Sequence, residues 1–145
     1  MKAVVQRVQR GSVSVDGNTL AEIGEGLVIL LGVGPNDDKD AARKLAEKIA
    51  RMRIFPDEKR KMNICLLDME GEALVIPQFT LFADTPRGHR PSFTDAGPPG
   101  IAEPLSTYFA ECLRQLGIST GEGEFGAHMV VEIINDGPVT ISIEI

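Results

Sequence analysis

The sequence has 145 residues, a length that fits one domain of common size. Hydrophobic residues make up 43% of the chain and charged residues 25%, which excludes a globally disordered protein. Fifteen Lys and Arg against 21 Asp and Glu give a net charge of −6, which excludes a protein that coats nucleic acid through general positive charge but leaves room for local basic patches.

Apolar residues change their spacing several times along the first third of the chain. The Val-rich residues 3–8 and 12–15 flank Gly11 and predict two strands joined by a tight turn. Residues 19–23 predict a further strand. The continuous apolar run at residues 27–33 predicts a strand buried on both faces, which we place at the centre of the sheet.

A helix over residues 38–51 is predicted next, because Ala42, Leu45 and Ile49 recur at helical spacing after Asn and Asp residues that can cap it. Residues 65–68 and 73–76 are short apolar runs on either side of a Glu-Gly-Glu turn, and they predict a second hairpin.

Residues 83–100 hold several prolines and glycines with little periodicity, which is typical of a surface loop. A second helix over residues 101–116 is indicated by apolar residues three and four positions apart, with Gly117 as its C-terminal cap. Alternating apolar residues around Val131, in a strand that His128 opens, and over residues 139–145 then predict two final strands separated by a turn.

These elements predict one domain over residues 1–145. Its fold class is α+β: a mixed, mostly antiparallel, barrel-like sheet with two main helices. The two cysteines stand alone, no apolar run reaches the roughly 20 residues of a membrane helix, and the first residues hold no signal-peptide core. We therefore expect a protein of the reducing cytoplasm that does not enter the membrane.

Familiar catalytic motifs are absent from the sequence. The glycines at 32 and 34 lack the Gly-Lys-Ser/Thr of a phosphate-binding loop, and there is no Gly-x-Ser-x-Gly. The only histidines, His89 and His128, have no nearby partner that would complete a metal site or a nucleophile, so no metal ligand is predicted.

Two other segments are more specific when taken together. They read Pro77-Gln78-Phe79-Thr80-Leu81 and Asn135-Asp136-Gly137-Pro138-Val139-Thr140. They resemble Ser-Gln-Phe-Thr-Leu and Asn-x-Gly-Pro-Val-Thr, the signature motifs of the D-aminoacyl-tRNA deacylases. Pro77 replaces the family's serine and so lacks both a hydroxyl and a backbone N–H. The resemblance spans the chain and includes residues 3–8, 26–34, 53–55, 61–63, 90–93 and 125–127.

The resemblance implies a homodimer that hydrolyses the ester between a D-amino acid and the terminal adenosine of tRNA, without a metal or an organic cofactor. It also implies activity on glycine mischarged on tRNA(Ala) and rejection of L-aminoacyl groups. In that family the Gly-Pro bond is cis and enters the partner's active site. The residues that match the family's site are Gln78, Phe79 and Thr80 as catalytic, and Gly137, Pro138, Phe125, Gly126 and Ala127 as substrate-binding.

Within that framework, backbone N–H groups around Phe79 and Thr80 are the expected donors to an oxyanion. Thr80 has no base nearby in sequence, so we expect the substrate's 2′-hydroxyl to assist rather than an acyl-enzyme to form. The basic residues Lys2, Arg7, Arg87 and Arg90 are candidates for binding tRNA phosphates. Two alternatives stay open: an esterase of small D-amino acid derivatives, and a non-catalytic RNA-binding module.

Overall fold

A six-stranded sheet forms the centre of the fold in the computed structural model, which describes residues 1–86 and 88–145. In chain order the elements are β1 (Lys2–Val15), β2 (Asn18–Ile23), β3 (Gly26–Gly32), α1 (Lys39–Ala50), β4 (Phe55–Pro56), β5 (Met62–Ile64), β6 (Glu72–Pro77), a 3-10 helix (Phe79–Phe82), α2 (Pro99–Gln115), β7 (Thr120–Glu122) and β8 (Val130–Glu144).

The sheet is mixed. On one edge, β1 pairs antiparallel with β3 through its first half and with β2 through its second, and on the other edge it pairs antiparallel with β8. Strands β6 and β7 continue the sheet in parallel with β3. The sheet is nearly closed into a barrel, with β2 approaching β7, so the predicted fold class is confirmed.

Strand β3 is buried on both faces, as its continuous apolar sequence predicts. Leu27, Ile29 and Leu31 face the core that lies between the sheet and the two helices. Val28 points the other way, into a second cluster inside the curved sheet. Alternate residues of one strand therefore stabilise two separate cores, because successive side chains of a strand point to opposite faces.

Both predicted helices are present. Helix α1 lies within the predicted residues 38–51, and its N-cap Asp38 accepts a hydrogen bond from the N–H of Ala41 at 2.9 Å. Helix α2 begins at Pro99, two residues before the predicted start, since proline is favoured in a first helical turn. Across the described residues, neither helix has the length and hydrophobicity needed to cross a bilayer.

One predicted turn and one predicted hairpin are wrong, because pairing between strands that are distant in sequence decides both regions. Strand β1 is continuous through Gly11, which pairs with Ile23 on one side and Ile133 on the other. Residues 65–68 hold no strand, since the turn assignments begin at Leu66, and β6 pairs in parallel with β3 rather than in a hairpin.

The predicted break between two C-terminal strands is also wrong. Strand β8 runs as one element through residues 135–140, which form an irregularity in its pairing with β1. Gln6 pairs with Thr140 and Val8 with Asn135, so residues 136–139 bulge opposite the single residue Arg7. The turn-forming sequence is accommodated as this bulge while pairing continues on both sides.

Candidate active site

The candidate site begins where β6 ends. Pro77 is the last residue of the strand, since a proline has no N–H with which to continue the ladder. The N–H of Gln78 donates to the carbonyl of Leu31 at 2.7 Å and fixes the chain to the end of β3. The N–H of Leu81 then donates to the carbonyl of Gln78 at 3.3 Å, which closes the first turn of the 3-10 helix.

An open pocket of about 250 Å³ lies at this point. Its lining consists of Ile76, Pro77, Gln78, Phe79, Phe125, Gly126, Ala127, His128, Met129 and Val131. The structure thus brings residues 78–79 together with residues 125–127, two groups that are far apart in sequence. Most of the lining is apolar, so the pocket can hold a side chain while polar groups at its edge orient a reacting bond.

Polar groups concentrate at the start of the 3-10 helix. The half-buried Gln78 donates a hydrogen bond from its side-chain amide to Oγ1 of Thr80, which is exposed. The backbone N–H groups of Phe79 and Thr80 precede the first intrahelical bond and have no acceptor within the helix. Two adjacent N–H groups of this kind can stabilise an oxyanion that forms in the pocket.

Sequence reasoning misses part of the lining. The alternating pattern assigns His128 to a strand, but β8 begins only at Val130, and His128 lies in the pocket wall beside Met129. The one sequence feature that could indicate this placement is that His128 directly follows residues 125–127. The turn at Phe125-Gly126 directs the chain along the pocket.

The bulge of β8 forms a second candidate segment, which carries Gly137 and Pro138. Their peptide bond is cis and both residues are exposed. Beneath them, Arg7 places Nε 2.8 Å from Oδ2 of Asp136, an ion pair without a well-directed hydrogen bond, and donates from Nη1 to the carbonyl of Ile54 at 2.7 Å. The guanidinium of Arg7 therefore holds the base of the bulge.

Asn135 supports the same bulge from its other side. Its side-chain amide donates to the carbonyls of Arg7 at 2.9 Å and of Val139 at 3.1 Å. These contacts satisfy backbone groups that the interrupted ladder leaves unpaired, so Gly137 and Pro138 project from a well-supported loop.

Within one chain the two segments lie at opposite ends of the sheet. Pro77 is aligned with Leu31 of β3, whereas the bulge lies opposite Arg7, which is aligned with Leu27. Val131 of β8 lines the pocket, and Gly137 lies six residues further along the same strand, a separation of roughly 15 to 20 Å at about 3.3 Å per residue. The Gly137-Pro138 bulge therefore does not reach the pocket of its own chain.

The four basic residues predicted to bind tRNA have different surroundings. Arg7 is engaged in the ion pair described above, with only 11% of its side chain exposed, which favours a structural role. Lys2 lies 3.8 Å from Glu144 and 4.8 Å from the ring centroid of Phe82. Arg90 is exposed on the loop after the 3-10 helix, and Arg87 lies outside the described residues. Phosphate binding by these residues stays a prediction.

Metal ligands are not clustered in the described part of the chain. Among residues 1–86 and 88–145, no three or more His, Cys, Asp and Glu side chains are placed to hold a metal ion. Cys65 and Cys112 are buried and unpaired within the same residues.

Solved structures define the class of fold to which this chain and its pocket belong. The structure of a c-Myc DNA Unwinding Element Binding Protein superposes with a TM-score of 0.92 at 40% identity, covering 99% of this chain and 98% of that one. A probable eukaryotic D-amino acid tRNA deacylase superposes with a TM-score of 0.86 at 16% identity, which shows a shared fold over 99% of this chain and 98% of that one.

Sequence comparisons identify the family within that class. The family model described as D-Tyr-tRNA(Tyr) deacylase matches residues 4–144. The D-aminoacyl-tRNA deacylase of Roseiflexus castenholzii is 57% identical over 99% of this chain and 92% of its own length, and that of Deinococcus radiodurans is 54% identical over the whole of both chains. The chain belongs to the D-Tyr-tRNA(Tyr) deacylase family.

Proposed function

We propose that this protein hydrolyses the ester of D-aminoacyl-tRNA in the cytoplasm and releases the free D-amino acid and tRNA. The observation that carries the proposal is the pocket at the end of β6, where Gln78 and Phe79 meet residues 125–127 in a chain that belongs to this family. Its apolar wall suits an amino acid side chain, and the polar start of the 3-10 helix suits the ester.

Hydrolysis needs a group that stabilises negative charge on the ester carbonyl. The N–H groups of Phe79 and Thr80 are the donors we assign to that oxyanion, because they point away from the helix without an internal acceptor. Gln78 donates to Thr80 Oγ1, which leaves the hydroxyl proton of Thr80 free to be donated to the substrate. The attacking group is water, assisted by the ribose 2′-hydroxyl, and no acyl-enzyme forms.

We propose that the site is completed by a second copy of the chain. Gly137 and Pro138 are exposed, supported from below by Arg7, and roughly 15 to 20 Å from the pocket of their own chain. A homodimer in which each bulge enters the partner's pocket brings both segments to one substrate.

Selection between D- and L-aminoacyl groups would follow from the backbone of that bulge. Asn135 holds the carbonyl of Val139 and so fixes the backbone of the bulge, whose carbonyl groups then cannot rotate away from the substrate, and an L-side chain directed at them is rejected. Glycine has no side chain to clash, and we therefore expect glycine mischarged on tRNA(Ala) to be hydrolysed as well.

The test is hydrolysis of D-tyrosyl-tRNA and L-tyrosyl-tRNA by the purified protein with EDTA present. We expect rapid release of D-tyrosine, with L-tyrosine released no faster than without protein. Equal release of both enantiomers would contradict the proposed selection. Loss of activity with EDTA, restored by Zn²⁺ or Mn²⁺, would contradict the metal-free mechanism.

The shared site has its own test. A Thr80→Ala chain and a Gly137→Ala chain are each expected to be poorly active as homodimers, but a mixture contains heterodimers in which one of the two sites is intact. Recovery of activity on mixing is the expected result. Heterodimers, seen by native mass spectrometry, that stay inactive would contradict the proposed arrangement, as would a monomer with full D-selectivity.

A second candidate function is nucleic-acid binding without catalysis, which the likeness to a c-Myc DNA Unwinding Element Binding Protein at 40% identity favours. Salt-sensitive RNA binding with no amino acid released from any charged tRNA would support it. An esterase of small D-amino acid derivatives would instead hydrolyse a D-tyrosine ester without requiring the nucleoside.

A further inference from the structure

An exposed pair of aromatic rings lies at the mouth of the pocket. Phe79 is 56% exposed and Phe93 is 37% exposed, although large apolar side chains are usually buried. Their ring centroids are 5.2 Å apart with an interplanar angle of 77°, an edge-to-face arrangement. Such a pair leaves each ring at least one face that the other ring does not cover.

The backbone holds Phe93 firmly in this position, although the surrounding sequence is rich in proline and glycine. Asp84 and Ser92 exchange two backbone hydrogen bonds of 2.8 and 3.0 Å just before it. After it, the N–H of Ala96 donates to the carbonyl of Phe93 at 3.1 Å, and Gly97 donates to Val33 at 2.8 Å. An aromatic side chain presented on a fixed backbone loses little entropy when a planar partner binds.

The positions of the two rings relative to the pocket differ. Phe79 is part of the pocket lining, whereas Phe93 is not and adjoins the pocket through its contact with the ring of Phe79. If the ester occupies the pocket, the RNA strand that leaves it passes the mouth at this aromatic pair. The 3′ end of a tRNA is single-stranded, so its bases are free to stack on protein side chains.

We propose that Phe93 is a positioning residue that stacks on the second-last nucleotide of the RNA, next to the nucleoside that carries the ester. This inference rests on the proposed deacylase function and extends it from the ester to the strand that bears it. Stacking accepts any base because every base has a π-face. Arg90, exposed on the same loop, can contact a phosphate, whereas Asp84 and Asp95 oppose one, so the contact assigned to Phe93 itself is stacking on a base.

The test compares two substrates that differ only beyond the terminal nucleoside: D-tyrosyl-tRNA, and D-tyrosine esterified to adenosine alone. Phe93→Leu keeps an apolar side chain against Phe79 but removes the aromatic face, and Phe93→Tyr keeps that face. We expect Phe93→Leu to lower kcat/KM for the tRNA about 5- to 150-fold, mainly through KM, with no change for the adenosine ester. Phe93→Tyr should behave as wild type with both.

A binding measurement separates this inference from the proposed function. An uncharged short RNA with 2-aminopurine at its second-last position should lose fluorescence on binding the wild-type protein and Phe93→Tyr, and not on addition of Phe93→Leu. Wild-type kcat/KM for the tRNA in Phe93→Leu, or an equal loss with both substrates, would overturn the stacking role. A wild-type protein that quenches the probe but hydrolyses no D-aminoacyl-tRNA would overturn the deacylase function and leave stacking supported.

Discussion

Replacing Gly137 by alanine tests whether the bulge of β8 acts in the reaction. Its φ of +116° lies in a region that residues with a side chain rarely adopt. An added Cβ would lie 2.9 Å from Cγ2 of Val139 and 3.0 Å from Nη2 of Arg7, both closer than ordinary contact. A residue held in such a backbone conformation costs about 1 to 3 kcal/mol.

That cost can be converted into two observables. If the protein is active only when the bulge has its wild-type conformation, the fraction of molecules in that conformation falls about 5- to 150-fold. The value of kcat/KM for D-tyrosyl-tRNA falls by the same factor. The melting temperature falls by roughly 2 to 12 °C, at about 2 to 4 °C per kcal/mol for a chain of this size. Rates are measured at a temperature at which circular dichroism shows the variant fully folded.

Gly117→Ala is the matched control. Gly117 follows α2, has a φ of +91°, and has no atom within 4 Å of an added Cβ. It should lower the melting temperature through backbone strain alone and keep the wild-type rate. Equal rates in Gly137→Ala and Gly117→Ala would refute the role assigned to the bulge.

Three further outcomes follow from the geometry. Gln78→Ala and Thr80→Ala should keep the fold and lower the single-turnover rate about 10²- to 10³-fold; wild-type rates in both would move the site elsewhere. Phe109→Ala removes a fully buried ring between helices and sheet and should lower the free energy of unfolding, measured by urea titration, by about 3 to 5 kcal/mol. A clearly smaller loss would contradict the packing described for this ring. Burial raises the pKa of the Cys112 thiol, so a thiol reagent at neutral pH should label it slowly until denaturant is added; rapid labelling of the native protein would contradict that packing.

Elements fixed by local chemistry are predictable from the sequence. Helix α1 follows from a capping Asp38 and apolar residues at helical spacing, and the burial of β3 follows from its unbroken apolar run. The pocket is predictable only through the family resemblance, since nothing in the spacing of Gln78 and Phe125 indicates that they meet.

Features that depend on pairing between distant residues are not predictable in this way. The continuity of β1 at Gly11 is decided by strands on both of its edges, and a local window contains neither of them. Arg7 and Asp136 lie near the two ends of the chain, so the sequence does not show that they form an ion pair. Without that partner, the positive charge of Arg7 suggests phosphate binding. The alternating pattern also places His128 in the final strand, but the strand begins two residues later, at Val130.

The pairing of β1 with β8 also determines the order in which the protein assembles. Lys2 pairs with Glu144 and Ser14 with Val130, whereas β1, β2 and β3 pair as close neighbours in sequence. Because closing a long loop costs more entropy than closing a short one, we expect β2 and β3 to pair with β1 early and β8 to dock late. Until then the outer edge of β1 is an open template for another chain. While the chain is still attached to the ribosome, the edge of β1 is therefore exposed and the Gly137 bulge has no support. Docking of β8 onto β1 covers the edge and supports the bulge in one step.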